Sequence, residues 1–140
     1  MSEGTDDFGL VIAGHGSRDA DGTREFEESL MLLKKRQPDR LITHGFLEFA
    51  TPTIDEALRA NVRMGSCKIV MVPGILFAAS HGKNDMPVEL LSVKPEFPEV
   101  EFHYGGPMGI HPLLLKLFQE RIISAEAQSA QMIPRHESLM

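Results

Sequence analysis

Three side chains that can bind metal ions stand directly after, or at the end of, three separate apolar segments of the sequence. They are His15, Glu48 and His81. Two imidazoles and a carboxylate suit a borderline divalent metal ion such as cobalt, nickel, iron or zinc. A site with so few protein ligands also leaves coordination positions open for water or for a substrate. The residue types therefore indicate metal chemistry, provided that the fold brings them together.

The apolar segments are predicted to be β-strands that alternate with helices. Strands are predicted over residues 8–13, 40–48, 68–73 and 100–104. Helices are predicted over 21–36, from the cap region 51–56 to Gly65, in a short stretch that begins at Pro87, and from Pro112 onward. This alternation predicts βαβ units in a three-layer α/β/α domain with a four-stranded, mostly parallel sheet. Because such folds bind ligands outside the carboxyl ends of their strands, we expect the three candidate ligands to converge in one crevice.

Some helix faces can be predicted from apolar periodicity. In the first helix it marks Phe26, Leu30 and Leu33 as the inner face. The short helix at Pro87 is expected to carry Val88 and Leu91. The last helix is expected to bury five apolar residues, Leu113, Leu114, Leu117, Phe118 and Ile122. We expect one α/β domain over residues 1–124, followed by a polar tail or linker remnant over 125–140.

Composition and charge narrow the class of partners. The 140 residues include 20 acidic against 14 Lys and Arg, a formal net charge of −6, so we expect no nucleic acid partner. The single cysteine, Cys67, excludes an internal disulfide and is expected to be a reduced, part-buried thiol. The longest apolar stretch, residues 69–79, is too short to cross a bilayer, and the first seven residues do not resemble a signal peptide. We therefore expect a soluble cytoplasmic protein with no membrane partner.

Other ionisable residues have simpler interpretations. His44 shares strand parity with Glu48 but lies deeper, which favours a buried supporting role. His103 and His111 are expected to be structural. Asp85 is expected to cap the helix around Pro87, with orientation of His81 as the alternative.

The glycine-flanked loop at His15 has a second interpretation. A loop of this kind between a strand and a helix can hold an anion, so His15 could serve as the nucleophile of a phosphate-handling enzyme. Such an enzyme needs an arginine pocket, and only Arg18 is near in sequence. That interpretation also leaves His81 without a role.

Five segments together resemble the class II tetrapyrrole metal chelatases, and specifically the sirohydrochlorin cobaltochelatases of cobalamin biosynthesis. They are residues 14–18 (GHGSR), 46–48 (FLE), 72–79 (VPGILFAA), 81–87 (HGKNDMP) and 108–112 (MGIHP). The resemblance extends from about Leu10 to Ile123. It is greatest to the amino-terminal lobe of the longer members.

The resemblance implies a lyase-type chelatase that inserts Co²⁺ into sirohydrochlorin, with Fe²⁺ or Ni²⁺ as other possible metals. It implies that His15 and His81 bind the incoming metal and help to remove pyrrole protons, assisted by Glu48. The metal ion is then a substrate, and no organic cofactor is expected. Ser17, Arg18 and Lys83 are expected to bind the macrocycle, the two cations by supplying positive charge for its carboxylates.

The size of the chain bears on its partners. Class II chelatases resemble two similar α/β lobes around the macrocycle, so a single lobe is expected to form a homodimer or to be one half of a longer enzyme. A carrier that binds metal or tetrapyrrole without turnover would use the same ligands. It remains the main alternative to the chelatase at this point.

Overall fold

The computed structural model describes residues 8–75 and 80–132, with side chains described over 8–75 and 85–129. The chain divides into two compact units, a first that ends at Gly109 and a second that begins at Ile110. The elements, in chain order, are β1 (Phe8–Gly14), α1 (Ala20–Arg36), β2 (Ile42–Phe46), α2 (Ile54–Arg63), β3 (Lys68–Pro73), α3 (Ser80–Val93), a 3₁₀ turn (Lys94–Glu96), β4 (Glu101–Tyr104) and α4 (Pro112–Met132).

The four strands form one sheet in the order β2-β1-β3-β4, and every neighbouring pair is parallel. In register, Gly14 of β1 lies opposite Phe46 of β2, and Ala13 lies opposite Pro73 of β3. The carboxyl ends of the three strands that precede the candidate ligands are therefore neighbours. The predicted α/β fold and parallel sheet are confirmed.

Apolar clusters lie on both faces of this sheet. On one face, α1 contributes Leu30, with Phe26 and Leu33 beside it, against Leu10 and Ile12 of β1. The inner face predicted for α1 is thus confirmed. The cluster on the other face joins strand residues to α2 and α3: Val11, Ala13, Ile54, Ala57, Leu58, Ile69, Met71, Met86, Leu90, Val93, Val100 and Phe102.

Helix α2 begins and ends as its sequence indicates. The side chain of Glu56 accepts a hydrogen bond from the Thr53 amide at 2.8 Å, which completes a capping box. Gly65 follows the helix with a φ of 113°, a left-handed conformation that glycine adopts without steric cost. The amide of Asn61, a fully buried residue of α2, donates to the carbonyl oxygens of Leu10 at 3.1 Å and Leu41 at 3.3 Å.

The prediction for α3 is wrong in three respects. The helix begins at Ser80, so Pro87 lies inside it and not in its first turn. Val88 and Leu91 are exposed, and the buried residues are Met86, Leu90 and Val93. Asp85 lies within the helix, so it is not the N-cap. The glycine and polar residues of the first turns obscure the periodicity, and Pro87 resembles a start signal because proline is disfavoured in helix interiors.

The second unit consists mainly of α4. The helix begins at Pro112 as predicted, but it continues past Ala125 to Met132. Described by itself, it leaves Leu113, Leu117, Phe118 and Ile122 exposed, so the predicted burial is not found in this unit. The domain boundary at residue 124 stays a prediction. In the described residues, no helix has the length and apolar character that a membrane crossing requires.

Cys67 is an unpaired cysteine just before β3, as predicted, but its side chain is exposed and not part-buried. Ser66 takes the buried position beside it, where its hydroxyl contacts Asn61.

Candidate functional site

His15 and Glu48 lie together at the carboxyl edge of the sheet. His15 Nε2 is 3.8 Å from Glu48 Oε1, and the side chains are 40% and 47% exposed. Two tetrahedral ligand atoms, each about 2.1 Å from a metal ion, are about 3.4 Å apart. A shift of a few tenths of an ångström would therefore let one ion contact both side chains.

Backbone hydrogen bonds beyond the strand ends hold this pair in place. The Leu47 amide donates to the Gly14 carbonyl at 2.9 Å, and the Glu48 amide donates to the His15 carbonyl at 3.1 Å. Parallel pairing of β1 and β2 thus continues into both loops. The two candidate ligands become neighbours because the sheet register places them so.

His15 and Glu48 are each followed by a residue with a left-handed backbone. Gly16 has a φ of 97° and Phe49 a φ of 68°. A Cβ at Gly16 would collide with the Glu48 carbonyl oxygen, so only glycine allows this close approach of the two loops. Phe49 is unusual, since a left-handed conformation costs a residue with a Cβ about 1–2 kcal/mol.

The guanidinium of Arg18 lies over the ring of Phe49. The Arg18 Cζ lies 4.6 Å from the ring centroid, within the range of a cation–π interaction. Phe49 is 51% exposed, so its ring is not a core residue. The contact between Phe49 and Arg18 is not predictable from the sequence, because apolar periodicity does not indicate a left-handed backbone.

A small cavity of about 150 Å³ lies between the His15 loop and the start of α1. Phe26 forms part of its wall and packs against the ends of β1 and β3. A Cβ at Gly14 would be 3.0 Å from this ring, and one at Gly74 would be 2.7 Å from it. Because Gly14 and Gly74 have no side chains, the Phe26 ring packs directly against the backbone next to His15.

A second cavity, of about 300 Å³, lies between Glu48 and α3. Its lining includes the carboxylates of Glu48, Asp85 and Glu89, together with Leu47 and Val88. The concentration of negative charge favours the approach of a cation. It also places the middle of α3 beside Glu48.

The backbone of His81 lies in the first turn of α3, one helical turn before Asp85. The side chains of His81 and Lys83 lie outside the described residues. Within the part of the chain whose side chains are described, no three His, Cys, Asp or Glu residues are grouped closely enough to hold a metal ion. The structure thus brings together His15 and Glu48, while the roles of His81 and Lys83 stay predictions.

The phosphate interpretation of the His15 loop gains little from this geometry. The residues that line the small cavity are Gly14, His15, Gly16, Ser17, Gly22, Thr23, Phe26 and Phe46, which include no Lys or Arg. The start of α1 is capped by Asp19, whose carboxylate accepts a hydrogen bond from the Asp21 amide at 3.0 Å. A carboxylate at this helix start opposes a bound phosphate. Ser17, predicted to bind the macrocycle, accepts a hydrogen bond from the Asp19 amide at 3.0 Å.

His44, His103 and His111, which lie in the described part of the chain, have protein partners. His44 Nε2 lies 2.9 Å from Glu27 Oε2, and its ring packs edge-on against Phe26 and Phe46. His103 Nε2 lies 2.7 Å from Glu101 Oε2, and hydrogen bonding to this imidazole lowers the pKa of the Glu101 carboxyl. The Leu113 amide donates to His111 Nδ1 at 3.1 Å at the start of α4.

Known proteins resemble this chain over most of its length. The family model described as CbiX matches residues 9–125. The chain belongs to the CbiX family. Its resemblance to the sirohydrochlorin chelatases is therefore confirmed over most of the described residues.

Two relatives illustrate the range of lengths within which this CbiX chain falls. The sirohydrochlorin ferrochelatase of Priestia megaterium is 34% identical over 113 residues, which are 81% of this chain and 42% of the relative. The sirohydrochlorin cobaltochelatase of Methanococcoides burtonii is 34% identical over 123 residues, which are 81% of this chain and 93% of the relative. The CbiX chain thus spans less than half of the first relative and nearly the whole of the second.

A solved structure gives the same picture of the fold. The sirohydrochlorin chelatase of Bacillus subtilis subspecies spizizenii, crystallised with cobalt, matches with a TM-score of 0.81 and 30% identity. The match covers 84% of the CbiX chain and 50% of the other. The class II chelatase-like fold predicted from the sequence is confirmed.

Proposed function

We propose that this chain is a chelatase that inserts a divalent metal ion, Co²⁺ foremost, into sirohydrochlorin. The observation that carries the proposal is the 3.8 Å approach of His15 Nε2 to Glu48 Oε1 at the carboxyl edge of the sheet. Membership of the CbiX family and the names of its relatives support the choice of reaction. Fe²⁺ is a second candidate metal, since relatives include both ferrochelatases and cobaltochelatases. Ni²⁺ is a third, because imidazole ligands also suit it.

The proposed chemistry begins with capture of the metal. Neutral imidazole binds a borderline divalent ion well enough to displace water, and the exposed site leaves the remaining coordination positions open. In this proposal His15 and Glu48 hold the ion, and His81 of α3 is the third ligand. The carboxylates of Asp85 and Glu89, in α3, favour the approach of the cation.

Insertion also requires the removal of protons. The free macrocycle carries two pyrrole N–H groups, and a divalent ion replaces both protons, so each turnover releases two H⁺ and leaves the metal's charge balanced by the ring nitrogens. Glu48 and the imidazoles are the proposed acceptors, because a general base must lie within reach of the proton that it removes. Protons then pass to water, which reaches the half-exposed side chains.

Binding of the macrocycle is assigned to the loop that follows β1 and to the start of α3. Sirohydrochlorin bears several carboxylates, whereas this chain has a net charge of −6, so local positive charge is needed. Arg18 and Lys83 are the proposed donors, and Ser17 shapes the loop through its contact with the Asp19 amide. Substitution Arg18→Ala is expected to raise the KM for the macrocycle, and an unchanged KM would remove Arg18 from the proposal.

The deciding experiment is Co²⁺ insertion into sirohydrochlorin, followed by absorbance, in the wild type and in the variants His15→Ala and His81→Ala. We expect acceleration over the protein-free rate in the wild type and a loss of at least about 100-fold in each variant, the lower range for removal of an acid–base group. His103→Ala is the matched control, because that imidazole pairs with Glu101 away from the site. Turnover that survives both site variants would reject the site.

The same assay separates the chelatase from a carrier. A carrier binds metal or macrocycle stoichiometrically, and product does not exceed the amount of protein. A chelatase releases many equivalents of metallated product for each protein molecule. Single-turnover behaviour at saturating substrates would favour the carrier.

We further propose a second α/β lobe around the macrocycle, supplied by a second copy of this chain in a homodimer or by the remainder of a longer enzyme. Relatives more than twice as long as the matched segment support the need for two lobes, and relatives of nearly the same length support a dimer. Light scattering at the assay concentration tests this, and a fully active monomer would reject it. A cytoplasmic location belongs to the proposal and is supported by the single unpaired cysteine.

A further inference from the structure

Phe49 combines two properties that core packing does not explain. Its backbone is left-handed, with a φ of 68°, and its side chain is 51% exposed. A bulky residue in this conformation is a genuine outlier, and such outliers persist where the surroundings select them. Glycine at this position would relieve the backbone cost, although the buried half of the side chain would be lost.

The position of Phe49 connects the two loops of the site. It directly follows Glu48, and its ring lies under Arg18, three residues after His15. The left-handed turn is what directs the ring back toward the His15 loop. A right-handed or extended residue would continue the chain in another direction and separate the ring from the guanidinium.

Stacking leaves the donors of Arg18 available. A guanidinium held by a cation–π contact still has N–H groups that do not face the ring, and these can bind a carboxylate in bidentate fashion. Among the described side chains, no ion pair includes Arg18. The stack therefore restricts the rotamers of this cation without neutralising its charge.

We propose that Phe49 is a positioning residue for the macrocycle, because it holds Arg18 in an orientation that receives a carboxylate of the substrate beside the His15 and Glu48 pair. This inference rests on the proposed function and extends it to a residue that acts through Arg18. Binding of a flexible cation requires it to be ordered first, and the ring supplies that order before the substrate arrives.

The test compares variants that separate the ring from the backbone. Phe49→Leu removes the aromatic face but keeps a Cβ, and Phe49→Tyr keeps both. We expect Phe49→Leu to raise the KM for sirohydrochlorin about 3-fold with kcat unchanged, as loss of an exposed cation–π contact would, and Phe49→Tyr to restore the wild-type value. Phe49→Gly is expected to raise KM equally, because it also removes the ring while glycine accepts the left-handed backbone without strain.

A double-substitution cycle shows whether Phe49 acts through Arg18. In an Arg18→Ala background, Phe49→Leu should have no additional effect on KM, and Arg18→Lys, which keeps the charge but not the planar stack, should behave like Phe49→Leu. Independent, multiplicative effects of the two substitutions would overturn the inference. An unchanged KM in Phe49→Leu would overturn it as well.

Binding of metal-free sirohydrochlorin, measured by fluorescence quenching, keeps this inference distinct from the proposed function. A wild type that binds the macrocycle with the expected variant pattern but inserts no metal would reject the chelatase and retain the role of Phe49. A wild type that inserts metal while the Phe49 variants bind the macrocycle normally would retain the chelatase and reject the role of Phe49. Absence of macrocycle binding in the wild type would reject both.

Discussion

The backbone of Gly16 lies directly against the carbonyl oxygen of Glu48, so that no side chain fits between them. Gly16 follows His15, so this contact holds the loop of one proposed metal ligand, His15, against the other, Glu48. It also explains the left-handed φ of 97° at Gly16, since the loop must turn sharply to approach. The site is therefore built from backbone contacts between two loops.

Gly16→Ala is expected to disrupt this approach. The Cβ would meet the Glu48 carbonyl, and the left-handed conformation would add strain, so we expect a loss of about 1–3 kcal/mol in the free energy of unfolding. Because the Glu48 loop must move, metal insertion should fall at least 10-fold. Urea denaturation and the insertion assay measure the two effects.

Gly65→Ala is the matched control for that substitution. Gly65 also has a left-handed φ, of 113°, but a Cβ there would meet nothing within 4 Å. It should therefore lose stability through backbone strain alone and keep full activity. Equal activity losses in the two variants would show that the Gly16 contact is unimportant for the site.

Glu48→Gln is expected to weaken Co²⁺ binding. An amide loses the negative charge but keeps the shape of the side chain, and the loss should be at least the roughly 10-fold that follows removal of an outer partner at metal sites. Isothermal titration with Co²⁺ measures the affinity. Glu27→Gln is the control, since Glu27 pairs with His44 at 2.9 Å on the α1 side of the sheet, and its metal affinity should match the wild type.

Asn61→Leu is expected to destabilise the fold without changing the site. The buried amide nitrogen of Asn61 donates hydrogen bonds to the carbonyl oxygens of Leu10 and Leu41 and lies 3.1 Å from Thr43 Oγ1. Leucine leaves these buried acceptors without that donor, which should cost about 2–4 kcal/mol. Ser66→Ala removes one hydroxyl from the same cluster and should cost less. A leucine variant of wild-type stability would show that the network is dispensable.

Acid stability should depend on Arg59. Arg59 Nη1 lies 2.7 Å from Asp55 Oδ2, and Arg59 Nη2 lies 2.9 Å from Glu96 Oε2. Hydrogen bonding from the Thr53 hydroxyl, followed by that from Arg59, lowers the pKa of the Asp55 carboxyl. The Arg59 guanidinium lowers the pKa of the Glu96 carboxyl, and the carboxylates raise the pKa of Arg59 in turn.

The sign of this effect follows from linkage. A carboxyl whose pKa is lower in the folded state stabilises the fold above its unfolded pKa, near 4, and loses that contribution as the pH falls through the folded pKa. Arg59→Gln should therefore be less stable than the wild type at pH 7, and the difference should shrink below about pH 4. Thermal unfolding across this pH range measures it. A difference that is independent of pH would contradict the assignment.

The sequence alone determined the fold class and indicated which residues to propose for the site. Apolar runs that alternate with amphipathic segments specify a parallel α/β sheet, because strands buried on both faces must be apolar and the helices that cover them must have one apolar face. The rule that ligands bind at the carboxyl ends of such strands then selected His15, Glu48 and His81. The first two are neighbours in the structure.

Local patterns were less informative where the signals conflict. Helix α3 begins well before Pro87, since its early turns carry little apolar periodicity and the proline resembles a start signal. Periodicity also marked apolar residues of α4 as buried, although the helix by itself exposes them. Burial is a property of the packing partner, which is not encoded in the segment itself.

Only the tertiary structure decided how the site is supported. The register that pairs Gly14 with Phe46, the approach of Gly16 to Glu48 and the stack of Arg18 on Phe49 all join residues that are distant in the sequence. Their geometry depends on sub-ångström packing and on backbone angles, which residue type constrains only weakly. A sequence fixes which groups are available at each strand end, whereas the distances between those groups follow from the folded chain.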